Sequence, residues 1–344
     1  MLLNRSAQIR VMRLVCVGIL LLTIYHQLST TANAEKLHVS VYPPQVEIVI
    51  KPGKSLLQAI DLKNNGDTMV FSTSILSFEP SDDQGGRVFK DKAEGPLRFS
   101  LENSQMGLGD KFVLKSREKT QALLKIRAVE NAPEGDYYYT LFFVADPPVT
   151  QTTAGLGRSY IGANILVSVT NSGNMPIEGK IAQLQVIPRY SLSLFGKTFT
   201  IVESNDEVPV VVKIANTGQF MVTPQVTLKL VSSLGKSETK KLFPANVLKN
   251  SQRLMVQEEF PECKRCKIPV STVFKGWFFG KYTVSAAMTF EFADKKIYAT
   301  TEFWAFPIRL MGLMGLISLV SLISLIRLMR HKKHTKKGGD MHGK

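Results

Sequence analysis

Val46-Glu47-Ile48-Val49-Ile50 alternates apolar and polar at its start, and Lys51-Pro52-Gly53-Lys54 then turns the chain. Leu56 to Leu62 resumes a β-rich run, Asn64-Asn65-Gly66-Asp67 turns it again, and Met69 to Phe78 follows. Period-two alternation punctuated by Pro-Gly and Asn-Gly predicts short strands joined as hairpins. The amphipathic crossover helices of an α/β enzyme do not interleave these runs, so the fold class is all-β sandwich.

The pattern returns in the second half. Val210-Val211-Val212-Lys213-Ile214 leads to Asn216-Thr217-Gly218-Gln219 and then Val226 to Val231, much as Ala59 to Lys63 leads to Asn65-Gly66-Asp67. Gly135-Asp136-Tyr137 opens the strand Tyr138 to Ala145, and Gly280-Lys281-Tyr282 opens Thr283 to Phe292. In immunoglobulin-like sandwiches a tyrosine at this place ties its hydroxyl to nearby backbone, so Tyr137 and Tyr282 are assigned as structural tyrosine corners. The echo predicts two tandem immunoglobulin-like β-sandwiches, residues 35–175 and 176–306. Ile165 to Val169 is the last strand of the first.

The two ends differ from this middle. Of the 344 residues, the first 34 hold Arg5, Arg10 and Arg13, an apolar run from Leu14 to Ile24, and Ala32-Asn33-Ala34. That order predicts a cleavable signal peptide over 1–34. A second uncharged apolar run, Leu310 to Ile326, predicts a single C-terminal transmembrane helix over 307–328. Phe303, Trp304 and Phe306 precede it as an interfacial aromatic belt, and residues 329–344 form a basic tail. The formal net charge of +15 is thus concentrated partly at the termini, where membrane targeting accounts for it. The expected localisation is a single-pass cell-membrane protein, with the ectodomain extracytoplasmic and the C-terminus cytoplasmic.

The middle is poor in chemistry. Between 35 and 306 there is one histidine, His38, and no G-x-S-x-G, H-E-x-x-H or phosphate-loop motif. No catalytic residue, metal site or cofactor is assigned, and nucleic acid is not an expected partner. Cys263-Lys264-Arg265-Cys266 reads as a local disulfide, with a redox pair or half of a zinc site as alternatives. Asp82-Asp83-Gln84-Gly85-Gly86 reads as a turn before it reads as a calcium loop. Tyr137-Tyr138-Tyr139 with Phe142 and Phe143 puts aromatics on both faces of one strand. Tyr138 and Phe142, on the face away from the core, are the candidate ligand-binding residues, with burial under a neighbouring element as the alternative. The polar loop Pro147 to Gly157 is a second candidate, with a solvated connector as its alternative.

A family likeness is carried in module one by Val41-Tyr42-Pro43-Pro44, Ile50-Lys51-Pro52-Gly53, Leu62-Lys63-Asn64-Asn65-Gly66 and Ala132-Pro133-Glu134-Gly135-Asp136-Tyr137, and in module two by Ile214-Ala215-Asn216-Thr217-Gly218, Phe279-Gly280-Lys281-Tyr282 and Phe303-Trp304-Ala305-Phe306-Pro307. In these segments, and in its sequence of signal, two modules, span and tail, the chain resembles the WxL-interacting-protein family of bacterial surface proteins. The resemblance implies a non-enzymatic, membrane-anchored surface protein that binds a cell-wall polymer or another surface protein. It carries no binding residue onto this sequence. Module one is also similar to the first domain of periplasmic pilus chaperones, which implies as an alternative an accessory or chaperone-like subunit in export or assembly of surface structures.

Overall fold

A computed structural model describes residues 38–102, 106–146, 158–258, 261–263, 265–290 and 293–337. The signal peptide and the loop at 147–157 fall outside the described residues. The chain is an all-β protein of two tandem immunoglobulin-like sandwiches followed by one long apolar helix.

The first sandwich comprises β1 (Val39–Tyr42), β2 (Gln45–Ile50), β3 (Ser55–Asn64), β4 (Met69–Pro80), β5 (Arg87–Phe89), β6 (Leu97–Leu101), β7 (Lys111–Leu114), β8 (Lys119–Ala128), β9 (Gly135–Asp146) and β10 (Ser159–Val169). One sheet runs β1-β3-β8-β6. The other runs β2-β10-β9-β4-β5, with β7 also on β4. Alternation places Ile60, Leu62, Leu124, Ile126, Tyr139, Leu141, Phe143, Ile165 and Val167 between the sheets.

The expected hairpins do not form at the opening turns. β2 pairs in parallel with β10, whereas β3 pairs with β1 and β8 in the opposite sheet. The Pro52-Gly53 turn therefore arches from one sheet to the other, and so does the turn at Asn65-Gly66 between β3 and β4. Turn residues specify a reversal of direction. Long-range partners decide which sheet the next strand joins.

The second sandwich comprises β11 (Gly179–Val186), β12 (Tyr190–Leu194), β13 (Lys197–Glu203), β14 (Val208–Asn216), β15 (Pro224–Ser232), β16 (Ser237–Lys241), β17 (Gln252–Leu254), β18 (Thr272–Phe274), β19 (Gly280–Phe290) and β20 (Ala293–Phe306). Its sheets are β11-β14-β17, with β18 on β14, and β12-β13-β20-β19-β15-β16. The core includes Val210, Val212, Ile214, Leu228, Phe274, Val284, Met288 and Phe303.

Equivalent asparagines pin the two modules. Asn64 donates to the carbonyls of Leu114 and Lys115, and its Oδ1 accepts the Gly66 N–H at 2.9 Å. Asn216 donates to the carbonyls of Phe220 at 2.8 Å and Val247 at 3.0 Å, and its Oδ1 accepts the Gly218 N–H at 2.9 Å. Both side chains are buried, so each side chain ties several backbone groups in a place water does not reach.

Helix α1 (Ile308–Lys337) starts one residue after β20. Its stretch Ile308–Arg327, 20 residues, is long and apolar enough to cross a membrane and is not covered by the rest of the chain. The helix continues past the expected end of the span into the basic segment.

Candidate functional site

The two sandwiches meet at a joint built on β9. Phe78, Tyr138 and Leu166 of module one pack against Met221 and Leu248 of module two. Beside them Asp136 is 1% exposed. Its carboxylate accepts the Ser168 hydroxyl at 2.6 Å, the Met221 N–H at 2.5 Å and the Tyr138 hydroxyl at 3.2 Å. Burial raises the Asp136 carboxyl above its ordinary range, against the pull of those donors. Lys249 donates its ammonium to the Asp136 carbonyl and lies 4.6 Å over the Tyr137 ring. Burial lowers the Lys249 ammonium, while Asp136 and Glu79 act to raise it. A cleft of about 530 Å³ opens here, lined in part by Phe78, Glu79, Lys90, Tyr137 and Lys249.

The turn between β4 and β5 straps this joint. Asp83 accepts the Leu254 N–H through its carbonyl and pairs with Lys213 through its carboxylate at 2.5 Å. The same hairpin reaches across the outer face of module one, where Arg87 donates to Asn164 at 2.7 Å.

That outer face carries a row of rings. Tyr160 meets Phe142 at 6.0 Å, Phe142 meets Phe89 at 5.1 Å, Phe89 meets Phe78 at 5.8 Å, and Phe78 meets Tyr138 at 5.7 Å. The row runs from the buried joint to Tyr160, which is 59% exposed. Gly162 makes the crossing between β9 and β10 close. A Cβ there would lie 2.6 Å from Thr140 and 3.1 Å from the Phe142 ring.

Tyr160 also marks an unpaired edge. All of β10 pairs with β9, but only Asn164–Val169 pairs with β2. Among the described residues, Ser159 to Ala163 has no partner on that second side. Asn164 donates its N–H to Pro44, on the β2 side. Backbone groups two residues apart face the same way, so Tyr160 and Gly162 turn theirs to the side along which β1 passes close to β10 without pairing to it. Such an edge is a template for another strand.

The residues singled out from sequence are spread over both modules. Tyr138 lies inside the joint, 4% exposed, accepting the Lys249 N–H at 2.9 Å. Its ring is therefore largely covered by module two, and what remains exposed borders the cleft at the joint. Phe142 is half-buried in the exposed row. Tyr137 donates its hydroxyl to the Pro133 carbonyl at 3.0 Å, and the Tyr282 hydroxyl accepts the Phe279 N–H at 3.3 Å. Cys263 and Cys266 are joined as a disulfide against Val211, Leu254, Val270 and Val273. Among the described residues no cluster of three or more His, Cys, Asp or Glu side chains forms a metal site. Phe303 is buried in the core, so the aromatic belt ahead of α1 retains only Trp304 and Phe306 of the three rings expected there.

Tyr160, Phe89 and the β12–β13 arm carry no motif that marks them in the sequence. Alternation starting from Ile165 reaches back to Tyr160 as an outward position, which is the signal that could have found it. In the arm, Phe195 is fully exposed at the tip with φ of 50°.

No protein-family model and no curated protein matches the chain. Solved structures that resemble it include the class 5 fimbriae chaperone CfaA, at 14% identity over 77% of this chain and 99% of that one, TM-score 0.35. The E. coli chaperone DraB is similar at 12% over 76% and 98%, TM-score 0.33. The Salmonella enterica SafA pilin–SafB chaperone complex gives 10% over 78% and 98%, TM-score 0.33.

Proposed function

We propose that this protein is a non-catalytic, membrane-anchored binder that receives an extended segment of a partner protein along the edge of β10 at Ser159 to Ala163, in an accessory role in the assembly or export of surface structures. The single observation that carries the reading is the edge at Ser159 to Ala163, which among the described residues is unpaired on one side, with the exposed rings of Tyr160 and Phe89 nearby. Backbone N–H and C=O groups in a row recognise another backbone, and the flanking pockets select side chains at alternate positions. This chemistry suits a peptide better than a cell-wall polysaccharide, which brings hydroxyls at a different spacing.

The test places a photo-crosslinking side chain at Tyr160 in the full-length protein in cells. A control carries it at Val113, exposed on β7 in the same sheet. Adducts at position 160 mapping to one extended segment of a protein, and absent at 113, are expected. Failure to crosslink at 160, or adducts containing only glycan, would overturn the reading.

A further inference from the structure

The membrane-facing end of module two is defined by where α1 begins. β20 ends at Phe306, and β13 runs parallel to it with Glu203 opposite Phe306. β19 begins with Gly280 opposite Ala305. The loop just before it, from Lys275 to Phe279, therefore projects from the same end as the helix start. Three backbone bonds and one side chain lace these segments together. Phe278 donates its N–H to Ser204 at 2.7 Å, Ser204 to Phe306 at 3.1 Å, and Met311 to Pro307 at 2.9 Å. The buried Glu203 carboxylate accepts the Arg309 N–H, in the first turn of α1, at 3.3 Å. An acceptor at that position satisfies a free helix N–H and opposes the positive end of the helix dipole.

A second row of rings runs along this end. Trp304 stacks on Phe306 at 5.8 Å, Phe306 meets Phe279 at 6.2 Å, and Phe279 stacks on Trp277 at 5.9 Å. Trp277 is 68% exposed and Phe279 half-exposed. Lys275 stands beside them with its ammonium 3.6 Å from Glu207. Large exposed aromatics bordered by a cation are ordinarily a costly surface in water. At a bilayer interface the same rings are favoured, since indole and phenyl groups partition to the headgroup level.

We infer that module two rests directly on the lipid headgroups through Trp277 and Phe279, as well as through the chain-adjacent Trp304 and Phe306. The occupant of this apolar end is the bilayer surface, because the ring row is continuous with the first residues of α1 and laced to them. Trp304 and Phe306 lie within four residues of the helix and would reach the interface in any case. Trp277 lies about 30 residues upstream, on a different loop, and reaches lipid only if the sandwich itself sits on the membrane. The inference rests on reading α1 as a membrane span.

The chain contains two tryptophans in all, and both are in this row, so intrinsic fluorescence reports on it alone. The full-length protein is reconstituted into phosphatidylcholine vesicles containing lipid brominated either near the headgroup or near the chain end. In Trp304→Phe, Trp277 is the sole indole. Its emission is expected to fall about twofold with the shallow quencher and less with the deep one, as for an interfacial indole. Trp277→Phe leaves Trp304 as the reporter of helix insertion, and Trp304→Tyr replaces the first variant if that one fails to fold. Quenching of Trp304 without quenching of Trp277 would overturn the inference and leave the span standing. Trp277 shielded from both lipid bromine and aqueous iodide would overturn it in favour of a covering protein surface. Protein released from the vesicles by alkaline carbonate, with neither indole quenched, would remove the span and the inference together.

Discussion

Replacing Asn216 by Ala tests whether the repeated Asn-x-Gly turn holds module two. The side chain is 2% exposed and makes three bonds, two donated to Phe220 and Val247 and one accepted from Gly218. A buried intramolecular hydrogen bond contributes about 1 kcal/mol net, and an orphaned buried partner costs more. The Val247 carbonyl also accepts the Val222 N–H, so its loss lies at the low end. The Phe220 carbonyl and the Gly218 N–H have no such replacement among the bonds described. The expected cost is therefore about 2–3 kcal/mol. For a module of this size, about 4 °C of Tm accompanies each kcal/mol, giving a fall of about 8–12 °C in the module-two transition. Calorimetry of the full-length chain in detergent reads this directly, with exposed Thr217→Ala as the neighbouring control. Asn216→Asp keeps the acceptor for Gly218 but sets oxygen against two carbonyls, so it should be at least as damaging as alanine. A fall of less than about 2 °C for Asn216→Ala would refute the assignment of the turn as a structural pin.

Other outcomes follow from the joint, the disulfide and the arm. Asp136 has its carboxyl raised by burial above 3.8, so the folded chain takes up this proton before the unfolded one. Its contribution therefore improves as pH falls towards 3.8, by up to about 1.4 kcal/mol per pH unit, and fades as pH rises through the folded value. Denaturant titrations across that window should show wild type gaining on Asp136→Asn with acidification, and a flat difference would contradict the buried site. Reducing Cys263–Cys266 opens a loop closed over a separation of three residues. It should cost no more than about 2 kcal/mol, so the chain stays folded in dithiol by circular dichroism. Phe195→Asn should stabilise the arm by about 0.5–1 kcal/mol, since Phe195 and Gly196 both hold positive φ, a turn that favours Asn-Gly. A lower thermal midpoint for Phe195→Asn would show that the exposed ring has a partner.

Strand positions were legible because alternation is a local property. Val46 to Ile50, Met69 to Phe78 and Val210 to Ile214 all lie within observed strands. Sheet membership was not legible, because β2 finds its partner more than 110 residues later in β10. The same alternation read strictly along β20 would have sent Phe303 inward with Ala305 and left Trp304 and Phe306 outside. Tyr138 was visible as an aromatic on the outer face. What covers it, Met221 and Leu248, belongs to the other module and leaves no mark near it in sequence. Asp136 was visible only as the neighbour of a corner tyrosine. Its burial depends on the Met221 N–H, 85 positions away. Trp277 sits in an irregular loop, where no periodicity says which way a ring points.

The junction of β20 and α1 has a mechanical consequence. A single residue, Pro307, separates a strand of 14 residues from the helix, and the Glu203–Arg309 bond braces the corner. At about 3.3 Å per residue the strand is about 46 Å long. A bundle of loops in place of this corner would let the sandwiches swivel freely above the lipid. With the corner braced, the strand is a mast stepped on the helix, so that tilting α1 tilts the strand. A helix tilt of about 20°, ordinary for a single span, carries the mast's far end about 16 Å sideways. Where α1 spans a bilayer, whatever changes its tilt (interfacial anchoring or mismatch with the bilayer) also changes how far from its own footing the protein can meet a neighbour.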